Sequence, residues 1–421
     1  MHECTCANIG PMKSDLPQLM QARNLDAIVI IGPDNMGVAN TAFTYFVGDT
    51  HVTNGTIVIK RGETPVLMHG TMERDEAAKT GMRLINKAVY NLPEIIKQTG
   101  GDRLAADVEL LKRLLADVGV TGRIGFYGID EIGKASALIT AISADERFDI
   151  VVEYERDVLS EARRTKDKHE AELIRNACQL TEQVIAATRS FLQSHTVEGE
   201  TLVKADGSPL TIGDAKNFIR REVAAAGLSM HDCIFAIGHD AGVPHSAGTP
   251  SDVIHLGKTI IFDIWPAGPG GYHSDITRTW CLGYAPDEVK LAYEQVMMVH
   301  DATEKNFNGQ QFTWEFNHQA CEMFDEFGHD TLLKDYGAST GYIHGLGHGF
   351  GLAVHESPNM GLQGTRPDET LQPGTIICNE PGLYYADKGW GVRVEDDYWH
   401  NPETGKFERL TKFDRSLIVP M

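Results

Sequence analysis

Thr259-Ile260-Ile261-Phe262-Asp263-Ile264-Trp265-Pro266-Ala267-Gly268-Pro269-Gly270-Gly271-Tyr272-His273-Ser274-Asp275-Ile276-Thr277-Arg278-Thr279-Trp280 reads as two apolar strands around a turn rich in proline and glycine. Each strand carries one carboxylate. If the strands pair about a midpoint at Pro269, Asp263 and Asp275 face each other on one side of the sheet. A second stretch repeats the pattern. Thr375-Ile376-Ile377-Cys378-Asn379-Glu380 and Gly391-Val392-Arg393-Val394-Glu395 flank Asp387-Lys388-Gly389, and a midpoint inside that turn sets Glu380 against Glu395. Opposed like charges destabilise a sheet unless something neutralises them. One acid in a strand is explained by an exposed edge. Two opposed pairs would need that explanation twice, and function becomes the better reading.

A third segment is His344-Gly345-Leu346-Gly347-His348-Gly349-Phe350-Gly351-Leu352-Ala353-Val354-His355-Glu356. Each of its glycines would cost a helix about 1 kcal/mol relative to alanine. An extended strand is therefore expected, with His344, Leu346, His348 and Phe350 on one face and bare glycine on the other. The bare face lets another backbone come close. His355 has the opposite parity, so a bulge or bend must intervene before it joins the same site. A lone histidine is usually a core or loop residue, but three crowded among four glycines point to chemistry. Four carboxylates and one imidazole form a donor set suited to Mn, Co, Zn or Fe(II). Their charge balances two divalent cations, and a metal pair ~3.5–4 Å apart is a hydrolytic device.

The surrounding chain has 421 residues, 42% hydrophobic and 23% charged, an ordinary profile for a globular chain of two or three domains. Strands are predicted over 25–31, 56–59, 65–68, 124–127 and 148–152, with Lys60-Arg61-Gly62-Glu63-Thr64 as a hairpin signature. They alternate with helical patterns, which makes the first part an α/β unit. A boundary near residue 160 divides the chain into domains over 1–160 and 161–421. The charged run that includes Arg163-Arg164-Thr165-Lys166-Asp167-Lys168 is expected to be a solvated connector. A helix starts at Asp167 with Leu173, Ala177, Leu180, Val184 and Phe191 on its apolar stripe, and further helices are predicted over 215–226 and 286–307.

Charge and cysteines set the class and compartment. Lys+Arg number 38 against 59 Asp+Glu, a formal net charge of −21 that repels phosphate backbones and excludes nucleic acid as a partner. No apolar run approaches the ~18 residues that span a bilayer, so no membrane segment is expected. Met1-His2-Glu3-Cys4-Thr5-Cys6 lacks the basic-then-apolar order of a secretory signal. The seven cysteines are odd in number and mostly scattered, as reduced thiols in a cytoplasm would be. Cys4 and Cys6, two donors at a chain end, are not expected to hold a metal.

The motifs Asp263, Asp275 in Asp-Ile-Thr-Arg-Thr, His348 in Gly-His-Gly-Phe-Gly, Glu380 in Asn-Glu-Pro-Gly-Leu-Tyr and Glu395 in Val-Arg-Val-Glu-Asp carry a family resemblance. At these residues the chain resembles the creatinase/prolidase branch of the pita-bread metallopeptidases, which contains Xaa-Pro dipeptidases and Xaa-Pro aminopeptidases. The resemblance implies a mixed α/β (α+β) fold, a small N-terminal creatinase-like α/β domain followed by a C-terminal pita-bread catalytic domain. It implies Asp263, Asp275, His348, Glu380 and Glu395 as ligands of two divalent metal ions, manganese first, with cobalt, zinc or iron as alternatives. His245, in Val243-Pro244-His245, resembles the family histidine beside the substrate, His355 the second catalytic histidine, and His344 a further substrate-side one. Glu380 would also take the attacking water's proton, and Arg393 would orient a carboxylate of the site.

The implied activity is hydrolysis of the peptide bond before proline at the N-terminus of dipeptides or short peptides, by a cytoplasmic homodimer. One residue departs from the pattern: Trp265 stands where family prolidases commonly carry a small side chain, and it reshapes the substrate pocket. Two other enzyme classes share the fold. Creatinase-like C–N hydrolases work without these ligands, all five of which are present, whereas a metal-dependent lyase would keep them. A non-enzymatic peptide-binding module would have no need of opposed acids.

Overall fold

A computed structural model describes residues 14–33, 40–364 and 366–421, so Cys4 and Cys6 lie outside the described residues. The chain separates into two compact units, Met1–Ala162 and Arg163–Met421. The first is built on β1 (Ala27–Ile31), β2 (Thr56–Lys60), β3 (Val66–His69), β4 (Arg83–Asn86), β5 (Gly122–Gly128) and β6 (Phe148–Val151). Their order is β4-β3-β2-β1-β5-β6, with β2 antiparallel to both β1 and β3 and the remaining pairs parallel. Alternate residues of β1 feed opposite cores: Ala27 and Val29 pack in one cluster, Ile28 and Ile30 in another. The helix Arg103–Val118 covers one face. Asp102 caps its start by accepting the Ala105 N–H, and left-handed Gly119 ends it.

The second unit contains a small ribbon of β7 (Thr196–Glu198) and β8 (Thr201–Val203), then β9 (Ile234–Ile237), β10 (Thr259–Ile264) and β11 (Ile276–Leu282). These are followed by β12 (His348–Gly349), β13 (Glu356–Asn359), β14 (Ile376–Asn379), β15 (Gly382–Tyr385), β16 (Trp390–Arg393), β17 (Asp396–Asn401), β18 (Lys406–Arg409) and β19 (Ile418–Val419). One sheet runs β19-β11-β10-β9, a second β13-β12-β14-β17-β18, and β15 with β16 forms a separate ribbon. The helices Lys168–Gln193 and Ile212–Ala225 pack on the first sheet through Val184, Ile185, Ile219 and Val223 against Phe235, Phe262 and Trp280. The helices Asp287–Asn306 and Thr313–Glu326 cover the second through Val296, Val299, Phe316 and Phe324 against Ile377 and Tyr398. Each sheet has its own helical layer.

Several expectations need correction. Asp263 does not pair with Asp275: it stands opposite Thr277, and Asp275 lies just before β11, two residues along on the same side. The turn centres on Gly270 rather than Pro269, because Gly270 and Gly271 carry the positive φ angles of 81° and 78° that close it. The second hairpin keeps its expected register. Asn379↔Asp396 on one side and Gly382↔Arg393 on the other place Glu380 opposite Glu395, with the turn at Ala386–Lys388 and left-handed Gly389.

The glycine segment is extended strand only at His348–Gly349. The bare glycine face does admit neighbouring backbone, as expected. A Cβ at Gly347 would fall 2.2 Å from the Cys378 carbonyl oxygen, and one at Gly349 2.4 Å from that of Ser357. The stripe of the long helix is also turned from its expected position. Ala171, Ile174, Cys178, Thr181, Ile185, Thr188 and Leu192 are buried with Ala177 and Val184, while Leu173, Leu180 and Phe191 sit at the rim. Thr181 and Thr188 enter the core because their hydroxyls bond back to the Ala177 and Val184 carbonyls. The charged run is not a solvated connector: Arg164 and Lys166 are buried, and Lys166 pairs with Glu356 at 2.9 Å.

Candidate metal centre

Asp263 projects from the end of β10, Asp275 from the approach to β11, His348 from β12, and Glu380 and Glu395 from the paired segments just beyond β14 and just before β17. The short strands meet so that these side chains face one space. His348 Nε2 lies 3.6 Å from Glu380 Oε1 and 3.8 Å from Asp275 Oδ2. Donor atoms of Asp275, His348, Glu395 and Cys378 all fall within 4.8 Å of one another. Asp263 sits beside them, its Oδ2 accepting a 2.6 Å bond from Arg393 Nη2.

The electrostatics of this space are unbalanced. Burial and mutual repulsion among the acids push Asp275 and Glu395 well above the ordinary carboxylate range. Burial raises Glu380 to about 8, although Arg393 pulls the other way. Burial, with His355 close by, lowers His348 to about 4, so its ring is neutral. Its Nδ1 faces the Gly349 carbonyl at 3.1 Å, and its Nε2 lies toward the Glu380 and Asp275 carboxyls. The Oδ1 of Asp263 is buried and has no hydrogen-bond partner among the described residues. Among the described residues, the buried guanidinium that bonds a carboxylate of this group is that of Arg393. Oxygen donors, a neutral imidazole and this charge deficit fit divalent cations.

The remaining expected residues surround the same space. His344 offers Nδ1 to the Gly345 carbonyl at 2.6 Å and Nε2 to the Tyr384 hydroxyl at 2.8 Å, and burial lowers it to about 3. The Tyr384 hydroxyl in turn accepts from Arg393 Nη1 at 2.7 Å. His355 is exposed and sets its ring edge to face against His348, centroids 4.3 Å apart. The bend that sequence parity demands lies between Gly351 and His355. His245, exposed beyond the short turn Asp240–Gly242, depresses the basicity of both His344 and His355 and so lies near them. Trp265 is half-buried and packs against the cluster that contains Ala236 and Tyr384.

Three contributors escape sequence reasoning. Cys378 shares the parity of Glu380, and that alternation is the available signal. Arg278 is fully buried and donates from Nη1 to the Glu395 carbonyl at 2.7 Å and from Nη2 to Asp396 Oδ1 at 2.8 Å. Asp397 Oδ2 accepts from the Asp275 amide at 3.1 Å and from Cys178 Sγ at 3.2 Å. Nothing local marks these two, because both act through tertiary contacts.

A two-sheet unit that gathers acids from two hairpins around a histidine offers the donor set of a divalent-metal centre. The sequence profile of metallopeptidase family M24 matches residues 172–401, and the chain belongs to that family. It is 26% identical over 405 residues to the Xaa-Pro dipeptidase of Pyrococcus furiosus, covering 96% of this chain and 98% of that one. The structure resembles an Xaa-Pro dipeptidase from Bacillus anthracis, with a TM-score of 0.73, 22% identity and 96% and 98% of the two chains covered. It also resembles the X-Pro aminopeptidase from Thermotoga maritima, with a TM-score of 0.72 at 21% identity over 97% and 99%. The architecture is an N-terminal α/β sheet domain followed by a pita-bread catalytic domain. Among the described residues no helix is long and apolar enough to cross a membrane.

Proposed function

We propose that this M24 peptidase cleaves the bond before proline in dipeptides or short peptides bearing a free N-terminus. The observation that carries the reading is the meeting of four acidic side chains with the neutral imidazole of His348 in one space. The near full-length likeness to the Pyrococcus furiosus Xaa-Pro dipeptidase supports the substrate class. In this reading Asp263, Asp275, His348, Glu380 and Glu395 hold two divalent cations, manganese being the first to test. Such cations supply Lewis acidity, which polarises the scissile carbonyl and makes a nucleophile available at neutral pH.

The chain's own groups do the rest. Glu380 accepts the proton of the attacking water and passes it to the leaving imino nitrogen. His245 and His355, on the open side, stabilise the developing oxyanion and place the substrate. His344 is kept neutral by burial, bonds Gly345 and Tyr384, and lines the substrate side. Arg393 fixes the Asp263 carboxylate through its 2.6 Å bond. A cytoplasmic homodimer completes the reading.

The test is a panel of Xaa-Pro and Xaa-Ala dipeptides and Xaa-Pro-Xaa tripeptides assayed with manganese, cobalt and zinc in turn. Preferential release of the residue before proline is expected. Protein that binds these metals and leaves every Xaa-Pro substrate intact would overturn the proposal.

A further inference from the structure

His355 reaches His348 only because the backbone bends between Gly351 and His355, and the side chain that shapes this bend is the next residue, Glu356. Its Oε1 accepts the Ala353 amide at 3.0 Å, closing the bend from inside. Its Oε2 accepts Lys166 Nζ at 2.9 Å, and Arg163 Nε lies 3.3 Å from Oε1. The carboxylate is 4% exposed and the ammonium 1%, so neither is held by water. The bend closes tightly on this pair. A Cβ at Gly351 would stand 2.8 Å from Lys166 Cε and 2.9 Å from Glu356 Oε2, which explains the glycine there. Gly351 is tied on its other side as well, its carbonyl accepting the His273 amide at 2.8 Å.

Lys166 is itself anchored. Its amide donates to the Gly374 carbonyl at 2.7 Å, and Thr165 bridges Thr375, so its backbone is fixed to the segment that enters β14 and leads to Glu380. The ammonium therefore links the loop bearing His355 to the strand bearing Glu380. A lysine carried on a mobile connector could not do this.

We propose that the buried Lys166–Glu356 ion pair is a positioning device that sets His355 against His348 and aligns it with the Glu380 strand. The inference rests on the proposed role of His355, and Glu356 itself touches neither substrate nor the acids of the centre. A group that acts only through His355 has no effect once His355 is gone. That criterion separates positioning from general structural support.

The experiment is a double-mutant cycle on the manganese-loaded protein, with Glu356→Gln made in the wild-type and His355→Ala backgrounds. In the wild-type background kcat should fall about 10- to 100-fold, the size of effect that a misplaced catalytic group produces. Manganese content should stay unchanged, and Glu356→Asp should restore part of the loss. In the His355→Ala background the same substitution should change kcat less than about twofold. An equal loss in both backgrounds overturns the proposal and leaves the role of His355 intact. An unchanged kcat in His355→Ala alone overturns both. Should Glu356→Gln not fold, the paired replacement Lys166→Met with Glu356→Met removes both charges together, which is tolerated far better than removing one. It serves the same cycle with the same two outcomes.

Discussion

Glu395, Asp396 and Asp397 are consecutive, yet they face opposite electrostatic worlds. In extended chain successive side chains point to opposite sides. Glu395 and Asp397 turn toward the candidate centre, and burial together with neighbouring acids pushes both well above the usual carboxylate range. Asp396 turns away. Burial alone would raise it too, but Arg278, His300 and Arg415 outweigh that and draw it down to about 2. All three carboxylates are buried. The difference is therefore not burial but who supplies the countercharge. On the outer side the chain provides its own cations. On the inner side Asp263, Asp275, Glu380, Glu395 and Asp397 share Arg393 among the described residues, a deficit that divalent cations would fill.

The largest expected effect comes from the inner side. Glu395→Gln should abolish turnover and metal binding together, by elemental analysis. Wild-type protein should gain about 2.7 kcal/mol of stability at manganese a hundredfold above its Kd, and the variant none. A variant that retained full metal content would remove Glu395 from the centre and collapse the contrast with Asp396.

The outer side should fail differently. Asp396→Asn leaves Arg278 and Arg415 without their buried partner, a loss of about 3–5 kcal/mol in similar cases. Denaturant unfolding should show that deficit, while the folded fraction still binds manganese. Metal lost at unchanged stability would mean that the two sides are not separable.

Which of these features can be read from sequence follows from the range of the forces that make them. Period-2 alternation and turn chemistry are local, so the register of Glu380 with Glu395 about the Gly389 turn is legible in the residues themselves. The neighbouring hairpin is legible in kind but displaced, because which glycine takes a positive φ decides the centre, and a proline at 269 is as strong a turn signal as the glycine at 270. Crowding marks His348 and His355, and parity marks the bend between them. Lys166 looks solvated in sequence because its partner lies 190 residues further on. Arg278 is silent for the same reason: a buried arginine on an apolar strand has no local signature, and its contacts with Glu395 and Asp396 exist only after the sheets meet.

Glu356 belongs with Asp396 among the carboxylates that the chain neutralises itself, and its acid response sharpens the comparison. Burial would raise its pKa, but Lys166 and Arg163 overcome this and hold the carboxyl below its ordinary value of 4.5. A folded value below the unfolded one means that the stabilisation is complete above 4.5 and drains away as the pH falls beneath it. Glu356→Gln removes one such proton from the unfolding equilibrium. Below that value the stability curve of the variant should be shallower than that of the wild type, by at most about 1.4 kcal/mol per pH unit. Urea midpoints across the acid range, taken on metal-free protein of both kinds, measure the two slopes. Parallel curves would show that Glu356 keeps an ordinary pKa, and that the chain does not neutralise this buried acid as it does Asp396.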